Sequence, residues 1–403
     1  MTGIVLSASV RQNLLSLQST ADLLATTQNR LSTGKKVNTA LDNPTNFFTA
    51  QGLDNRASDI TNLLDGIGNG VQVLQAANTG ITSLQKLVDT AKSIASQVLQ
   101  TTVGYSPKAN VTTTVGAVGS ASDLTSGGTT TLQGKTVIFT PATGPALTLT
   151  FSNVVGAGNV NSLDALNTAL TAAGIGVSAS ISSTGFLTFT STNDNASQSI
   201  TTAGGAAANT VQITGTTVAA IVAASGTPVA DPSSQAIRAN LVNQYNNIIA
   251  QITTTAQDAS FNGINLLNGD SLKLTFNETG KSTLNITGVT YDATGLGLNS
   301  LVGATDFLDS ASANATIAKL SGASNALRSE ASALGSNLSI VQIRQDFSKN
   351  LINVLQTGSA NLTLADTNEE AANSQALSTR QSIAVSALAL ANQSQQSVLQ
   401  LLR

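Results

Sequence analysis

Apolar residues recur at every seventh position over a long stretch of this chain. The run contains Ile60, Ile67, Leu74, Ile81, Val88 and Ala95, and a second apolar series follows three places behind it. A seven-residue repeat holds one stripe of a helix against a partner helix. Sustained over about six heptads, it predicts a helical rod that begins after Asp54 and extends for roughly 60 Å.

Three further segments carry the same spacing. Near the start, the stripe contains Val10, Leu14, Leu17, Ala21, Leu24 and Leu31. A third rod is marked by Leu320, Leu327, Leu334 and Val341, after which the stripe shifts to Phe347 and Val354. At the end of the chain, the stripe contains Leu377, Ala384, Leu388, Ala391, Val398 and Leu402. The two terminal stripes can bury each other, and the pattern predicts an antiparallel pair of helices.

This pairing leaves apolar residues outside the shared stripe, namely Leu15, Leu23, Leu390 and Leu401. Regular apolar spacing alone fits either a core within one chain or contacts in a polymer. The apolar residues at the extreme C-terminus favour assembly, because terminal residues seldom become ordered without a partner that covers them.

The segments between the heptad repeats have different amino-acid patterns. We predict a connecting loop at "STGKKVNTALDNPTNFF", where Gly34 fits a helix C-cap and Pro44 interrupts the helix. From 101 to 230, "KTVIFT", "ALTLTF", "VSASI" and "FLTFTS" predict strands, and "NSLDALNTALTAAGIG" predicts one helix capped by Ser162. A helical stripe of Ile237, Leu241, Tyr245, Ile248 and Ile252 follows, and then a β-hairpin around "NETGK".

Composition excludes several classes of function. The chain contains no His, Cys or Trp, so neither a Ser/His/Asp or Cys/His nucleophile nor a zinc site of the usual ligand set can form. Carboxylate or lysine chemistry stays open without support, and we expect no enzyme and no cofactor. A net charge of −3 and a pI of about 4.9 argue against a nucleic-acid surface.

Membrane and secretory signals are also missing. The start, "MTGIVLSASVRQNLL", lacks the features of a cleaved secretory signal, and no run of about 20 apolar residues predicts a membrane span. Taken together, the apolar patterns described above predict a mostly α fold with long antiparallel helices from both chain ends, a β-hairpin and an α+β insert.

Three short motifs favour structural interpretations over catalytic ones. "NETGKST" lacks the first glycine of a phosphate loop, so it predicts a hairpin turn. Gly66, Gly68 and Gly70 lie inside a heptad run without a preceding strand, which indicates close helix packing or local flexibility. The acids of "ADTNEE" stand where a helix starts, where negative charge is favourable.

Four segments together resemble one protein family. "NRLSTGKKVNTALDNP", "DTAKSIASQVLQ", "NNIIAQITTTAQDASFNGINLLNG" and the closing "ALANQSQQSVLQLLR" are similar, in this order, to segments of bacterial flagellin. The resemblance covers about the first hundred residues and everything from about Asp231 onward. It implies an extracellular homopolymer whose subunits leave the cell unfolded through the flagellar type III pathway. It also implies an export chaperone, a filament cap and hook-junction proteins as partners.

The resemblance divides the chain into layers. Residues 1–41 and 361–403 would form the inner-core helices, 42–100 and 231–360 the helical layer with the hairpin, and 101–230 the outer insert. The polymerisation seam would contain Val10, Leu14, Leu17, Leu24, Leu31, Leu388, Ala391, Val398 and Leu402. The rod layer would pack through Ile67, Leu74, Ile81, Leu327 and Leu334.

The sequence also departs from the family. The insert precedes the "FNGINLLNG" segment, whereas in many members it follows that segment and its hairpin, and "NPTNFFTAQGL" replaces the usual Ala-rich stretch. Thr90 and Lys92 stand where the family carries paired arginines that a vertebrate innate immune receptor reads. Two other functions stay open. The first is a hook-filament junction protein, and the second is a secreted adhesin that binds through the insert.

Overall fold

The computed structural model describes residues 8–113, 120–126, 132–154, 156–202, 210–214 and 226–401. Its helices are α1 (Ala8–Thr33), α2 (Pro44–Gln100), α3 (Leu163–Ala172), α4 (Pro232–Asp258), α5 (Ser310–Thr363) and α6 (Thr367–Leu401). Its strands are β1 (Asn110–Thr112), β2 (Thr136–Thr140), β3 (Leu147–Phe151), β4 (Asn159–Val160), β5 (Val177–Ile181), β6 (Leu187–Ser191), β7 (Ser199–Thr201), β8 (Thr210–Thr214), β9 (Ser271–Thr275) and β10 (Thr283–Thr287). Long helices from both ends with a β-rich middle confirm the predicted fold class.

The boundary between α1 and α2 is partly as predicted. Gly34 has a φ of 67° and follows the last residue of α1, which confirms it as the end of that helix. The prediction that α2 begins only after Asp54 is wrong, because the helix starts ten residues earlier at Pro44. The Asn43 side chain accepts a hydrogen bond from the Asn46 N–H at 3.0 Å. Proline is well tolerated in a first helical turn, so Pro44 starts the helix.

Helix α5 keeps one seven-residue stripe where the sequence predicted a shift. Phe347 and Val354 are 57% and 66% exposed, whereas Ser348 and Leu355 are buried. The step of seven from Val341 therefore continues through Ser348, and the predicted shift is wrong. Leu355 packs with Ile352 against residues of α2. A small polar residue completes the buried stripe, while the large apolar residues next to it face outward.

Helix α4 differs from its predicted stripe at two positions. Ile237 is 48% exposed, and the neighbouring Arg238 is fully buried. Ile249 is buried in the same way, whereas the predicted Ile248 is only half-buried. Leu241, Tyr245 and Ile252 are buried as predicted, so the buried face departs from the predicted stripe only at these two positions.

The chain forms two compact units. The first contains Met1–Val71, Lys273–Asn285 and Leu338–Arg403. In it, the hairpin tip contacts both rods. Leu274 packs so closely on Gly70 that a Cβ there would lie 2.4 Å from a leucine methyl carbon. An ion pair of 2.9 Å joins Arg56 to Glu278, and the guanidinium of Arg344 lies over the ring of Phe276.

The second unit contains Gln72–Leu272 and Ile286–Asn337, and so includes the insert. The insert has a three-stranded sheet in the order β1-β6-β5 and a five-stranded sheet in the order β4-β3-β2-β8-β7. Inward-facing residues of both sheets and of α3 form one hydrophobic core. The four predicted strands and the helix capped by Ser162 are present, whereas β1, β4, β7 and β8 were not predicted.

Strand β5 lies at one edge of the three-stranded sheet and is closed by a side chain. The Asn167 side chain of α3 donates to the Ala179 carbonyl at 3.0 Å and accepts from the Ala179 N–H at 2.7 Å. It thus makes the two hydrogen bonds that another strand would make at this position.

Close packing at Gly80 in α2 generates a prediction. A Cβ at this position would lie 2.6 Å from the Cβ of Ala259 and 2.7 Å from Leu267. We expect Gly80→Ala to destabilise the protein by about 1–3 kcal/mol, because the Cβ of Ala259 cannot move without shifting its backbone. Urea unfolding measures the change.

Gly68 of the same helix supplies the control, since nothing lies within 4 Å of its Cβ position. We expect Gly68→Ala to stabilise the helix by about 0.5–1 kcal/mol. Equal effects of the two substitutions would contradict the close approach at Gly80.

Candidate assembly surface

Helices α1 and α6 form an antiparallel pair in the first unit. Where the pair begins, the Lys36 N–H donates to the Thr363 carbonyl at 2.7 Å, and the Ala365 N–H donates to the Gly34 carbonyl at 3.0 Å. One turn further along each helix, Arg30 and Glu370 form an ion pair at 3.2 Å. The antiparallel arrangement follows from these contacts, because the end of α1 lies beside the start of α6.

The contact stripe between the two helices is narrow and mixes apolar with small or polar residues. On α1, its positions are Val10, Asn13, Leu17, Thr20, Ala21, Leu24, Thr27 and Arg30, of which only Val10 and Thr27 are buried. On α6, the half-buried positions are Ser374, Leu377, Gln381, Ala384, Leu388 and Ala391. Small and polar side chains bury little apolar area, so this pairing alone contributes little stability.

The predicted seam residues divide into three groups. Val10 is buried, and Leu17, Leu24, Leu388 and Ala391 are half-buried between the two helices. Leu14 and Leu31 are 39% and 40% exposed, so they are not part of the buried stripe within the chain. The side chain of Val398 and the whole of Leu402 lie outside the described residues.

The exposure of Leu14 has a geometric reason. The sequence stripe steps by four from Val10 to Leu14, whereas the structure steps by three to Asn13 and then by four to Leu17. Thr20 and Thr27 occupy the position equivalent to Asn13 one and two heptads later. Asn13, Thr20 and Thr27 therefore lie between the apolar positions Val10, Leu17 and Leu24 of the stripe, and Leu14 lies on its flank.

Large apolar side chains instead lie on the outer faces of the pair. We define the terminal surface as Leu14, Leu15, Leu23 and Leu31 of α1 with Ile383, Val385 and Leu390 of α6, which are between 39% and 70% exposed. Ile383 and Leu390 are seven residues apart and therefore lie on one face of α6. The half-buried positions Leu377, Ala384 and Ala391 define a different face, so this pair of residues lies away from α1.

A second exposed apolar stripe lies on α5 in the same unit. Ile340, Ile343, Phe347 and Val354 are 43% to 69% exposed on the face turned away from Ile352. Phe48 on α2 and Leu41 in the preceding loop are 61% and 96% exposed. Apolar groups spaced in this way along a helix usually mark an interaction surface.

The predicted rod-layer residues are all buried. Ile67, Leu74 and Ile81 of α2 are each 1% exposed, and Leu327 and Leu334 of α5 are 0% and 3% exposed. Thr90 is exposed on α2, where its hydroxyl donates to the Lys86 carbonyl, and Lys92 is half-buried. The role of the five buried residues in a polymer stays a prediction, and so does the role of Thr90 and Lys92.

The acidic motif before α6 starts that helix. Asp366 accepts hydrogen bonds from the N–H groups of Asn368 and Glu369 at 2.9 and 3.3 Å, as an N-terminal cap does. Glu370 in the same motif pairs with Arg30. These contacts confirm the interpretation of the motif as a helix start.

The glycine motifs are structural as well. "NETGKST" lies in the turn between β9 and β10, where Gly280 has a φ of 70°.

Within the part of the chain that the structure describes, no group of three or more acidic residues is arranged to hold a metal ion. Within the same residues, no helix combines the length and the apolar character that a membrane crossing requires.

Two models of protein families match the chain. The bacterial flagellin N-terminal helical region matches residues 6–135, and the bacterial flagellin C-terminal helical region matches residues 317–402. These two ranges contain α1, α2, most of α5 and α6, which include the terminal surface. The matched helices are therefore the ones on which the exposed apolar residues lie.

Individual relatives agree with the family models. Flagellin FljM of Caulobacter vibrioides is 33% identical over 165 residues, which are 40% of this chain and 59% of FljM. Flagellin FljO of the same species is 30% identical over 179 residues, which are 44% of this chain and 63% of FljO. Flagellin A of Rhizobium meliloti is 38% identical over 90 residues, which are 22% of this chain and 23% of that protein. The chain thus matches less than two thirds of the length of each.

The ion pair between Arg30 and Glu370 generates a prediction. Its side chains are 37% and 10% exposed, so solvent screens the pair only in part. We expect Glu370→Gln to weaken the pairing of α1 with α6 by about 1 kcal/mol. Amide hydrogen exchange in both helices measures the change.

The neighbouring Glu369 is exposed, and it provides the matched control. Glu369→Gln removes the same charge from the same helix start, so the difference between the two variants isolates the ion pair. If both variants accelerate exchange equally, the pair does not hold the helices together.

Proposed function

The chain belongs to the bacterial flagellin family, and from this premise we propose that it is a structural subunit that polymerises into the flagellar filament. The observation that carries the proposal is the position of the large apolar side chains. On α1 and α6 they lie on the faces that the other helix does not cover. Other copies of the chain would cover them, and the resulting burial would stabilise the polymer.

Geometry favours an open polymer over a closed pair. Leu14 and Leu23 of α1 are nine residues apart and are exposed on opposite sides of that helix, and Ile383 and Leu390 are exposed on the outer face of α6. A helix with apolar residues on several sides requires more than one neighbour. Contacts between different faces of identical subunits continue indefinitely when their rotation does not close. A helical filament satisfies both requirements.

The layer assignment follows from the same surface. We propose that residues 1–41 and 361–403 form the inner core, with Val10, Leu14, Leu17, Leu24, Leu31, Leu388, Ala391, Val398 and Leu402 in the seam. Residues 42–100 and 231–360 would form the surrounding helical layer, packed through Ile67, Leu74, Ile81, Leu327 and Leu334. Residues 101–230 would face outward. The exposed stripe on α5 supports contacts between neighbouring subunits within the helical layer.

Export and partners complete the proposal. We propose export of the unfolded chain by the flagellar type III pathway, with an export chaperone, a filament cap and hook-junction proteins as partners. The weak contact stripe supports this route, because helices that are only marginally stable alone are easily kept unfolded. The site of function would be the extracellular filament, and the role would be motility without enzymatic activity.

The proposal is tested by seeded polymerisation followed by negative-stain microscopy. We expect the intact chain to elongate flagellar seeds and a chain truncated to residues 42–360 to form no filament. Failure of the intact chain to elongate seeds under any salt condition would favour a hook-filament junction protein. Binding of glycan or host matrix by a protein that does not polymerise would favour an adhesin.

A substitution on the terminal surface tests the carrying observation. Leu390 is 70% exposed, so Leu390→Asp should leave the fold of the single chain intact. Burial of a leucine contributes about 1.5–3 kcal/mol, and its loss should raise the critical concentration about tenfold or more. Sedimentation of polymer from monomer measures that concentration.

The control is Gln393→Asp, which introduces the same charge at an exposed polar position one turn later. We expect it to change the critical concentration much less. Leu388→Asp, which places a charge in the contact stripe itself, should cost several kcal/mol and abolish filaments while the insert stays folded. Normal filaments from Leu390→Asp would remove the terminal surface from the assembly contacts.

The identities of Thr90 and Lys92 predict weak activation of the vertebrate receptor that reads paired arginines in this family. Cells that carry this receptor and a reporter gene should respond weakly to the monomer. The variant Thr90→Arg with Lys92→Arg should respond more strongly, because it restores the paired guanidinium groups. A strong response to the unaltered protein would refute the prediction.

A further inference from the structure

The insert joins the helices through two short segments that pair with each other. We call residues 101–109 and 226–231 the neck. Tyr105 and Ala230 form an antiparallel bridge. The Ser106 N–H donates to the Val229 carbonyl at 2.9 Å, and the Val229 N–H donates to the Pro107 carbonyl at 3.0 Å. The two segments that connect the insert to the helices thus run side by side.

Arg238 lies where the neck meets three helices, and its side chain is completely buried. It is the only basic residue of α4. Its guanidinium makes five hydrogen bonds, all to main-chain carbonyl groups. The accepting residues are Val98, Thr101, Thr102, Phe307 and Asp309.

These carbonyls belong to two separate parts of the chain. Nη2 donates to Val98 and Thr101 at 3.0 Å each, and Nε donates to Thr102 at 2.7 Å, at the end of α2. The last carbonyls of a helix lack partners within that helix, and a cation there also interacts favourably with the helix dipole. Nη1 donates to Phe307 and Asp309, which directly precede α5.

Phe307 adds a sign of strain at the same place. Its φ is 62°, a left-handed conformation that costs a bulky residue roughly 1–3 kcal/mol. Its N–H donates to the Ser312 hydroxyl at 2.7 Å, its carbonyl accepts from Arg238, and its ring meets that of Tyr245 edge to face. The surroundings therefore hold this residue on both sides of its strained backbone.

Further bonds tie the neck to the same point. The Gly104 N–H donates to the Leu308 carbonyl at 2.9 Å, and the Asp231 N–H donates to the Gly104 carbonyl at 3.0 Å. The Ser197 hydroxyl of the insert donates to the Asp309 carboxylate at 3.1 Å. Burial lowers the pKa of the Arg238 guanidinium, and the charge of Asp309 opposes this shift.

We propose that Arg238 is a positioning residue that locks the neck, so that the insert and the helices to which it is joined move as one body. The guanidinium of Arg238 is the centre of this lock, because it extends from α4 and binds both the end of α2 and the residues before α5. When it is removed, the neck opens while the sheets of the insert keep their hydrogen bonds. The inference is independent of the proposed function, because it concerns the folded single chain.

The chemistry of arginine makes the lock specific. A guanidinium has five N–H donors in a fixed planar fork, whereas a lysine ammonium has three donors at one point. Lysine keeps the charge yet cannot reach both groups of carbonyls at once. Arg238→Lys should therefore weaken the lock nearly as much as Arg238→Met, although it preserves the net charge.

Amide hydrogen exchange on the full-length monomer tests the proposal. The probes are the neck amides of Gly104, Ser106, Val229 and Asp231, and the reference amides are those of Phe151 and Ala179 in the insert. We expect Arg238→Met to accelerate exchange at the neck at least tenfold and to leave the reference amides unchanged. Arg328→Met, at an exposed position of α5, is the control and should change neither set.

Two outcomes of the exchange measurement would overturn the lock. If exchange accelerates equally at the neck and in the sheets, Arg238 is a general stabiliser. If the neck amides are unaffected, it has no role there. Arg238→Lys carries the same test should Arg238→Met fail to fold. Trypsin provides a second measurement, because opening of the neck should speed cleavage after Lys108, and a rate equal to that of the unaltered protein contradicts the proposal.

Discussion

The buried guanidinium of Arg238 is the interaction on which the middle of this molecule depends. An uncharged side chain at this position would leave several carbonyls without donors in apolar surroundings, at a cost of about 1–3 kcal/mol each. The energetic risk of a buried charge is reduced because the accepting groups include the end of α2. The same contacts join the end of α2 to the residues before α5, beside the two segments through which the insert leaves and returns.

Apolar spacing predicted much of the fold because it reports which face of an element is buried. It identified the long helices, the hairpin, α3 and four strands of the insert. It failed at Ile237 and Arg238, because a charged residue is expected to be exposed unless its partners are known. The partners of Arg238 are carbonyls more than sixty residues away along the chain, and their gathering at one point has no pattern in the sequence.

The assembly surface was predicted only in part, for a different reason. Spacing placed Leu14 and Leu31 in the seam, whereas Asn13, Thr20 and Thr27 join Val10, Leu17 and Leu24 in pairing the chain's own helices. Apolar periodicity shows that a residue requires cover, but it does not show whether the cover comes from the same chain or from another copy. In the filament proposed above, one helix would receive both kinds of cover. The most apolar residues then lie where the single chain leaves them exposed.

Asn167 also affects how the insert can associate with neighbouring molecules. Sheets whose margins have free main-chain groups can add strands from neighbouring molecules, and this tendency grows when copies are held at high local density. By occupying both main-chain groups of Ala179, the asparagine removes one starting point for such growth. At this position of β5, one amide side chain therefore limits the growth of an amyloid-like sheet from the insert.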